Sequence, residues 1–466
     1  MLERNIMKNT FILLNRQVLR LRIGKYLKEC NEIYHLTLDP KSESVIRIHL
    51  IPPKKLKLNI PWIVILNGYY ILPLQTGWAI LLKEFIEVVN LEKAEFKSIE
   101  HYVEIAARTT KIVFPKATMT LLKKDLEEIL GTFKAIVRKG KVSEEIGLMT
   151  FKEYQKFMNA PHRMDLMISS MEKNGCWNCN QKCLHCYASG EKLSNVNELT
   201  TDDWKRVIDI LKDAMVPQLT FTGGEPTMRK DLVELIEHSK WFVTRLNTNG
   251  ILLTESLCKE LYNASLDSVQ ITFYSNEKDL HNKLVGGNHF DKAVEGIKNA
   301  IKAGLDVSCN TPLCSINRNY LSTISFLKDL GVKYFSASGL IPSGNAKNEN
   351  SETTKLSKEE ITKIIKEAYE YCKENDLELS FTSPGWIDEK DLTKMRMVTP
   401  SCGACLSNMA IAPNGEVIPC QSWLFEDGFG NILDTSWKKI WNHPNCKKRR
   451  TFSAKNSQVC PLGMVK

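Results

Sequence analysis

The chain lacks any run of about 18 uninterrupted apolar residues, so no membrane-spanning helix is expected. It also lacks a secretory signal: the opening stretch MLERNIMKNTFILLNRQVLRLRIGKYL has charges inside every apolar run. There is no basic stripe with interleaved aromatics. The formal net charge of +9 is spread over 466 residues, and Lys447-Lys448-Arg449-Arg450 is the only tight cluster. Neither a nucleic-acid partner nor a membrane partner is therefore expected. Cysteine is nearly missing from the first 150 residues, where Cys30 stands alone.

What is present is ordinary in bulk and unusual in one respect. Apolar content of 43% and charged content of 25% are those of a folded globular protein, and the length suggests about three domains. The chain holds 14 cysteines. Without a signal for export, they are read as reduced, cytoplasmic and partly metal-binding.

The densest cysteine stretch is Cys179-Asn-Gln-Lys-Cys183-Leu-His-Cys186-Tyr187, three thiols spaced C-x3-C-x2-C. Four cysteines normally close a zinc or iron–sulfur site, whereas three thiolates hold three irons of a cubane and leave the fourth open. Cys176 adds an upstream C-x2-C pair, but four-thiolate zinc sites separate their pairs by about a dozen residues or more. Cys176 is read as a bystander. An apolar strand over Asp165–Met171 precedes the loop, which puts the loop at a strand's carboxyl end, the active face of barrel-like α/β proteins.

These residues resemble the radical S-adenosylmethionine (SAM) superfamily, whose hallmark is this loop with an adjoining aromatic residue, here Tyr187. The resemblance implies a [4Fe–4S] cluster on Cys179, Cys183 and Cys186, SAM bound to its open iron, and reductive cleavage to a 5′-deoxyadenosyl radical. It also implies an external electron donor of flavodoxin or ferredoxin type. Further residues extend it. A strand over Gln218–Thr222 runs into Gly223-Gly224-Glu225-Pro226, where glycines allow close backbone approach and a carboxylate can accept from an ammonium group. In the family this motif contacts the methionine amino group. The next strand runs into Asn247-Thr248-Asn249-Gly250, so Thr248 and Asn249 are expected at the cofactor, and Thr272 stands where the family often has a serine.

One segment departs from the family. Where an arginine commonly binds the SAM carboxylate, the chain reads His281-Asn282-Lys283-Leu284-Val285-Gly286, which leaves Lys283 as a candidate partner. Cys314, just past the fifth strand, is a candidate hydrogen-atom donor in the manner of the epimerase branch, and otherwise an unreactive buried thiol. Alternating strands and helices from Met164 to Ser336 predict an α/β fold with a parallel sheet. The resemblance makes it a partial (β/α)6 barrel over 164–395.

Cysteines return in 396–466 as Cys402, Cys405, Cys420, Cys446 and Cys460. Gly415 to Cys420 and the following Phe429-Gly430-Asn431-Ile432 resemble the SPASM or twitch extension, which implies one auxiliary [4Fe–4S] cluster on Cys402, Cys405, Cys420 and Cys460. Cys446 is held in reserve. A zinc ribbon on the same thiols remains open, because a thiolate set does not by itself choose the metal.

Residues 1–150 read as an α+β accessory domain: strands at Val45–Leu50 and Trp62–Leu66, a turn at Asn67-Gly68, then helices at Gly77–Ile86 and Leu121–Val137. The order loosely resembles the peptide-recognition element of ribosomal-peptide maturases, which implies leader binding at a sheet edge; the alternative is a packing extension. Residues 141–163 form the linker. The expected activity is radical modification of a ribosomally made peptide by crosslinking or epimerisation. The alternatives are a protein side-chain oxidase or cofactor maturase of the same superfamily, and, in another class, a non-catalytic iron–sulfur protein that binds peptides or carries electrons.

Overall fold

The computed structural model describes residues 23–464 apart from 31, 39–45, 54–59, 67–69, 93–96, 138–154, 156–157, 174–175, 348–353 and 457. The Asn67-Gly68 turn and most of the 141–163 linker lie outside the described residues. The chain divides into two compact units, Met1–Asn159 and Ala160–Lys466.

The first unit is a four-stranded antiparallel sheet in sequential order, β1 (Tyr34–Leu38), β2 (Ile46–Ile51), β3 (Trp62–Leu66) and β4 (Tyr70–Leu74). Helix α1 spans residues 23–29. Three more helices follow, α2 (Thr76–Leu91), α3 (Ile99–Val113) and α4 (Met119–Val137). β3 reads Trp-Ile-Val-Ile-Leu and is buried along its whole length, as a central strand should be. Its neighbours share a core with Phe85 of α2, Ala106 of α3 and Phe133 of α4. Helix α3 was not legible in the sequence because small residues, Ala106 and Ala107, carry much of its buried stripe. Ser98 caps it by accepting from the His101 N–H. Lys83 is buried in this unit, paired with Glu84 and Glu87, and Tyr26 donates its hydroxyl to Glu84.

The second unit is built on parallel strands β5 (Arg163–Ser169), β8 (Gln218–Gly223), β9 (Val243–Thr248), β10 (Ser268–Thr272), β11 (Asp306–Pro312) and β12 (Tyr334–Ser338), adjacent in that order. Two short strands, β6 (Glu172–Lys173) and β7 (Cys176–Trp177), form a small hairpin inside the loop after β5. The six parallel strands match the expected units; two additions at the edges do not. β13 (Glu378–Phe381) extends the parallel run beside β12, and β14 (Asn408–Ile411) pairs parallel with β5 and antiparallel with β15 (Val417–Ile418). The region from 396 onward thus continues the barrel sheet instead of separating as a third compact unit. The physical reason is an otherwise unpaired edge on β5.

Helices cover the outer face: α5 (Thr201–Asp213), α6 (Leu232–His238), α7 (Glu255–Asn263), α8 (Lys278–Val285), α9 (Phe290–Lys302), α10 (Tyr320–Asp329) and α11 (Lys358–Glu374). Alternation along the strands sorts the two faces. Leu166, Phe221, Leu246, Val269 and Phe335 share the apolar face, while Asp165, Thr220, Asn247, Gln270, Asn310 and Ser336 share the other. The second set is joined in part: Gln270 Nε2 donates to Ser336 Oγ (3.3 Å), which donates to Asn310 Oδ1 (2.9 Å). No helix among the described residues is long and apolar enough to cross a membrane.

Phe221 is fully buried on β8, so Phe221→Ala is expected to cost about 3–5 kcal/mol through lost transfer energy and a residual cavity. Urea unfolding followed by circular dichroism measures it; a change below about 1 kcal/mol would mean that this face is not packed as described.

Candidate active site

Beyond the β6–β7 hairpin, the loop that follows β5 carries Cys179, Cys183 and Cys186 on a segment with no helix or ladder of its own to satisfy its backbone. Its amides are taken up by neighbours. Lys182 N–H donates to Val285 O (3.1 Å) and Leu184 N–H to Leu284 O (2.9 Å), which fills orphan carbonyls at the end of α8. Gly286 ends that helix in the left-handed region at φ 69°, and a Cβ there would lie 2.3 Å from the Lys182 carbonyl oxygen. The segment that departs from the family's arginine pattern therefore has a positioning role. Trp177 Nε1 donates to Gln181 O (2.7 Å), and Asn345 N–H to Cys186 O (2.8 Å).

Two carboxylates tie the loop further. Glu198 accepts from Ser170 N (3.0 Å), Asn178 Nδ2 (3.1 Å) and Lys173 Nζ (2.9 Å). Glu191 accepts from Ser343 Oγ (2.9 Å) and Gly344 N (2.8 Å). Nothing in the local sequence singled out either residue, since their partners come from distant segments.

The three thiols share one electrostatic neighbourhood. Burial pushes the Cys179 thiol up to about 12, with Glu225 and Cys186 adding to it. Burial also raises Cys183, reinforced by Cys186 and Cys179. Grouped thiols in a desolvated loop suit a cluster, because ligation removes the proton that burial otherwise retains. Cys176 is exposed on the small hairpin and stands outside this group.

Glu225 of the Gly-Gly-Glu-Pro turn is fully buried and held by donors of the chain itself. Its oxygens accept from Thr227 N (3.0 Å), Thr227 Oγ1 (2.5 Å), Thr248 Oγ1 (2.6 Å) and Asn249 N (2.9 Å). Burial raises its pKa while these donors oppose the shift. These bonds make Glu225 a clasp between the ends of β8 and β9. Asn249 then reaches the cysteine loop through Nδ2 to Asn180 Oδ1 (2.6 Å). Asn180 Nδ2 is buried with no protein partner, a donor left for a bound group beside Cys179. Gly223 and Gly224 press against β5: Cβ atoms there would meet the carbonyl oxygens of Ser169 and Ser170 at 2.4 and 2.7 Å. Pro226 is buried at the start of the following 3-10 turn, and Thr272 sits half-buried at the end of β10. Lys283 is exposed on α8.

Cys314 is wholly buried with Tyr274, Leu284, Val285 and Leu340, in a cluster that also contacts Cys183. His185, which the sequence reading passed over, is buried within the ligand loop, its Nε2 2.8 Å from Thr354 Oγ1. Tyr187 is raised by burial and feels Cys186, Asp165 and Cys420, so it lies between the two groups of cysteines.

The second group gathers at the β14–β15 hairpin, where Gly415 turns at φ 91°. Burial raises Cys420, and Cys402 and Cys460 add to it. Cys405 holds φ 58° and feels Cys446 and Cys420. Cys402, Cys405 and Cys460 are thus within electrostatic reach of Cys420, and Cys446, on helix α12 (Pro444–Lys455), neighbours Cys405.

Residues 178–330 match the radical SAM superfamily, and residues 402–461 match SPASM, the iron–sulfur cluster-binding domain. The chain carries a radical SAM domain followed by a SPASM domain. This radical SAM enzyme is 27% identical to an AdoMet-dependent heme synthase of Oleidesulfovibrio alaskensis over 281 residues, 56% of this chain and 71% of the relative. It is 31% identical to a PqqA peptide cyclase of Bradyrhizobium diazoefficiens over 52% of this chain and 64% of the relative. Among solved structures, Streptococcus suis SuiB bound to its precursor peptide SuiA superimposes with TM-score 0.57 at 16% identity, covering 85% of this chain and 89% of SuiB. Native anSMEcpe with bound AdoMet gives TM-score 0.50 at 19% identity, covering 62% of this chain and 83% of that one. The radical SAM domain implies a [4Fe–4S] cluster and SAM, and the SPASM domain implies auxiliary iron–sulfur binding. The grouped thiols, the orphan Asn180 donor and the close glycine turn fit those groups.

Gly224→Ala is expected to leave the iron of the Cys179 loop in place while weakening SAM binding about tenfold or more, because the new Cβ must displace the β5 carbonyl. Calorimetric titration of SAM into the anaerobically reconstituted variant checks it; wild-type affinity would remove Gly224 from the cofactor site.

Proposed function

We propose that this radical SAM enzyme is a maturase that modifies a ribosomally made peptide, holding the leader on the N-terminal unit and acting on the core peptide at the barrel mouth. The observation that carries the reading is the extent of the likeness to SuiB, a protein solved with its precursor peptide. At 85% of the chain, that likeness runs well beyond the catalytic unit Ala160–Lys466. The N-terminal sheet supports it, since among the described residues β1 and β4 each pair on one side only and leave an edge to which a peptide strand can add. The reading places the enzyme in the cytoplasm, a compartment in which its 14 cysteines stay reduced.

In this reading Cys179, Cys183 and Cys186 hold the cluster, and Gly223, Gly224, Asn180 and Asn249 shape the SAM pocket. Thr248 holds Glu225 in place through its hydroxyl. When reduced, the bound cofactor pair supplies a 5′-deoxyadenosyl radical, the hydrogen-abstracting agent of the family. The chain's part is to orient the peptide, exclude water and keep the ligand loop rigid. Asp165 Oδ2, Thr220 Oγ1 and Asn247 Oδ1 are buried on the polar face without protein partners, and they give a substrate side chain acceptors to bind. Cofactor maturation is the second reading, supported by the heme synthase relative.

The test is anaerobic incubation of the full chain with SAM, dithionite and short peptides encoded beside its gene, followed by mass spectrometry. Crosslinking is expected to remove two hydrogens per modification. Epimerisation is expected to leave the mass unchanged in light water and to incorporate one solvent deuterium in heavy water. SAM cleavage with every peptide unaltered would defeat the peptide reading and favour the second.

A further inference from the structure

The basic cluster Lys447-Lys448-Arg449-Arg450 belongs to a longer imbalance. From Thr435 to Lys466 the chain has eight lysines and arginines and no aspartate or glutamate, against a net charge of +9 for the whole protein. The net charge is thus spread less evenly than the tight cluster alone suggests, and most of it lies in this last stretch.

The fold sorts these residues into inside and outside. Helix α12 buries Cys446, Arg450 and Ser453 and exposes Lys447, Lys448 and Lys455, at helical spacing. The short helix Trp437–Trp441 buries Trp437, Ile440 and Trp441 and exposes Lys438 and Lys439. Arg450 ties the two helices: its Nη2 donates to Trp441 O (3.2 Å), and its guanidinium lies 3.8 Å from the centre of the Trp441 ring. Among the described residues no carboxylate pairs with any of the five exposed lysines. On its inner side α12 meets the cysteine-bearing segment, where Ser453 Oγ donates to Ala404 O (2.8 Å) and lies 3.9 Å from Cys402 Sγ. One helix, about 10 Å across, therefore separates these cations from the first cysteine of the SPASM match.

The surroundings select the partner. The exposed side of α12 has no large apolar residue to enter a lipid surface. The nearby rings are taken up by the chain: Trp437 stacks on Trp441, Arg450 covers Trp441, and Arg449 packs on Trp423 and Phe452. That leaves no platform for unstacked bases. Unpaired positive charge outside an iron–sulfur domain suits a folded, acidic protein that carries electrons. Reductive cleavage of SAM takes up one electron, which breaks the sulfonium carbon–sulfur bond and has to be delivered from outside the chain.

We propose that Lys438, Lys439, Lys447, Lys448 and Lys455 form the docking surface for an acidic electron-carrier protein of flavodoxin type, which is oxidised by one electron for each SAM cleaved. The inference rests on the radical SAM and SPASM domains and is independent of the peptide reading.

Calorimetric titration of an acidic flavodoxin into the anaerobically reconstituted full chain tests it. Binding is expected to weaken about tenfold between about 50 and about 300 mM salt. Lys447/Lys448/Lys455→Glu is expected to weaken it about tenfold or more at low salt, whereas Lys363/Lys366/Lys373→Glu, the same charge change on exposed positions of α11, is expected to change it less than about threefold. SAM cleavage driven by dithionite, a small reductant that needs no docking surface, is expected to be equal in all three proteins, and cleavage driven by the reduced flavodoxin is expected to fall only in the first variant. Absence of salt-sensitive binding, or an equal loss in both variants, overturns the docking surface. So does a first variant that keeps its affinity for flavodoxin and loses affinity for a short single-stranded RNA, which would assign the lysines to nucleic acid. Should the triple variant fail to fold, Lys448→Glu alone decides: weakening of about threefold upholds the surface and unchanged binding overturns it.

Discussion

The rest of the site depends on satisfying the backbone of an irregular loop at the mouth of the barrel. Three thiols within eight residues cannot face one small cluster from a helix or strand, so the segment gives up regular hydrogen bonding. Its amides and carbonyls must find partners elsewhere. The end of α8 supplies two carbonyls, Asn345 an amide, and Glu191 and Glu198 gather groups from residues 343–344 and 170–178. Each partner sits on an element already fixed by the sheet. Loop rigidity is thus borrowed from the barrel, which is what a ligand set needs in order to be preorganised.

The same economy governs Glu225. A carboxylate sealed from water is costly, yet two donors of Thr227, in the turn after β8, and two from the end of β9 offset that cost and lock turn and strand together. Through Asn249 and Asn180 the clasp extends to the cysteine loop, so the two motifs farthest apart in sequence share one hydrogen-bonded frame. On the other side of β5 the β14–β15 hairpin joins the barrel sheet directly, bringing Cys420 within electrostatic reach of Asp165 and Tyr187. The two groups of thiols are therefore coupled through a continuous sheet and not across a flexible linker.

Much of this was legible in the sequence, and the reason differs by element. The C-x3-C-x2-C spacing, the glycine pair after β8 and the strand–helix rhythm are local: spacing, backbone freedom and periodicity leave their mark within a few residues. The six parallel strands and the three loop cysteines followed from those marks. The partners of Glu191, Glu198 and Glu225, the edge pairing of β14 with β5, and the company that Cys446 keeps left none, because each depends on at least one partner more than twenty residues away. Glu225 shows the difference most clearly. Its position in the motif was fixed by sequence, but whether its carboxylate faced a ligand or a neighbouring strand end depended on how β8 and β9 came to lie side by side. The sequence alone determined which residues could carry iron and radical chemistry, since that is set by side-chain type and spacing. Only the tertiary structure decided which of them meet and which are occupied by each other, because burial and long-range hydrogen bonding exist only once the chain is packed.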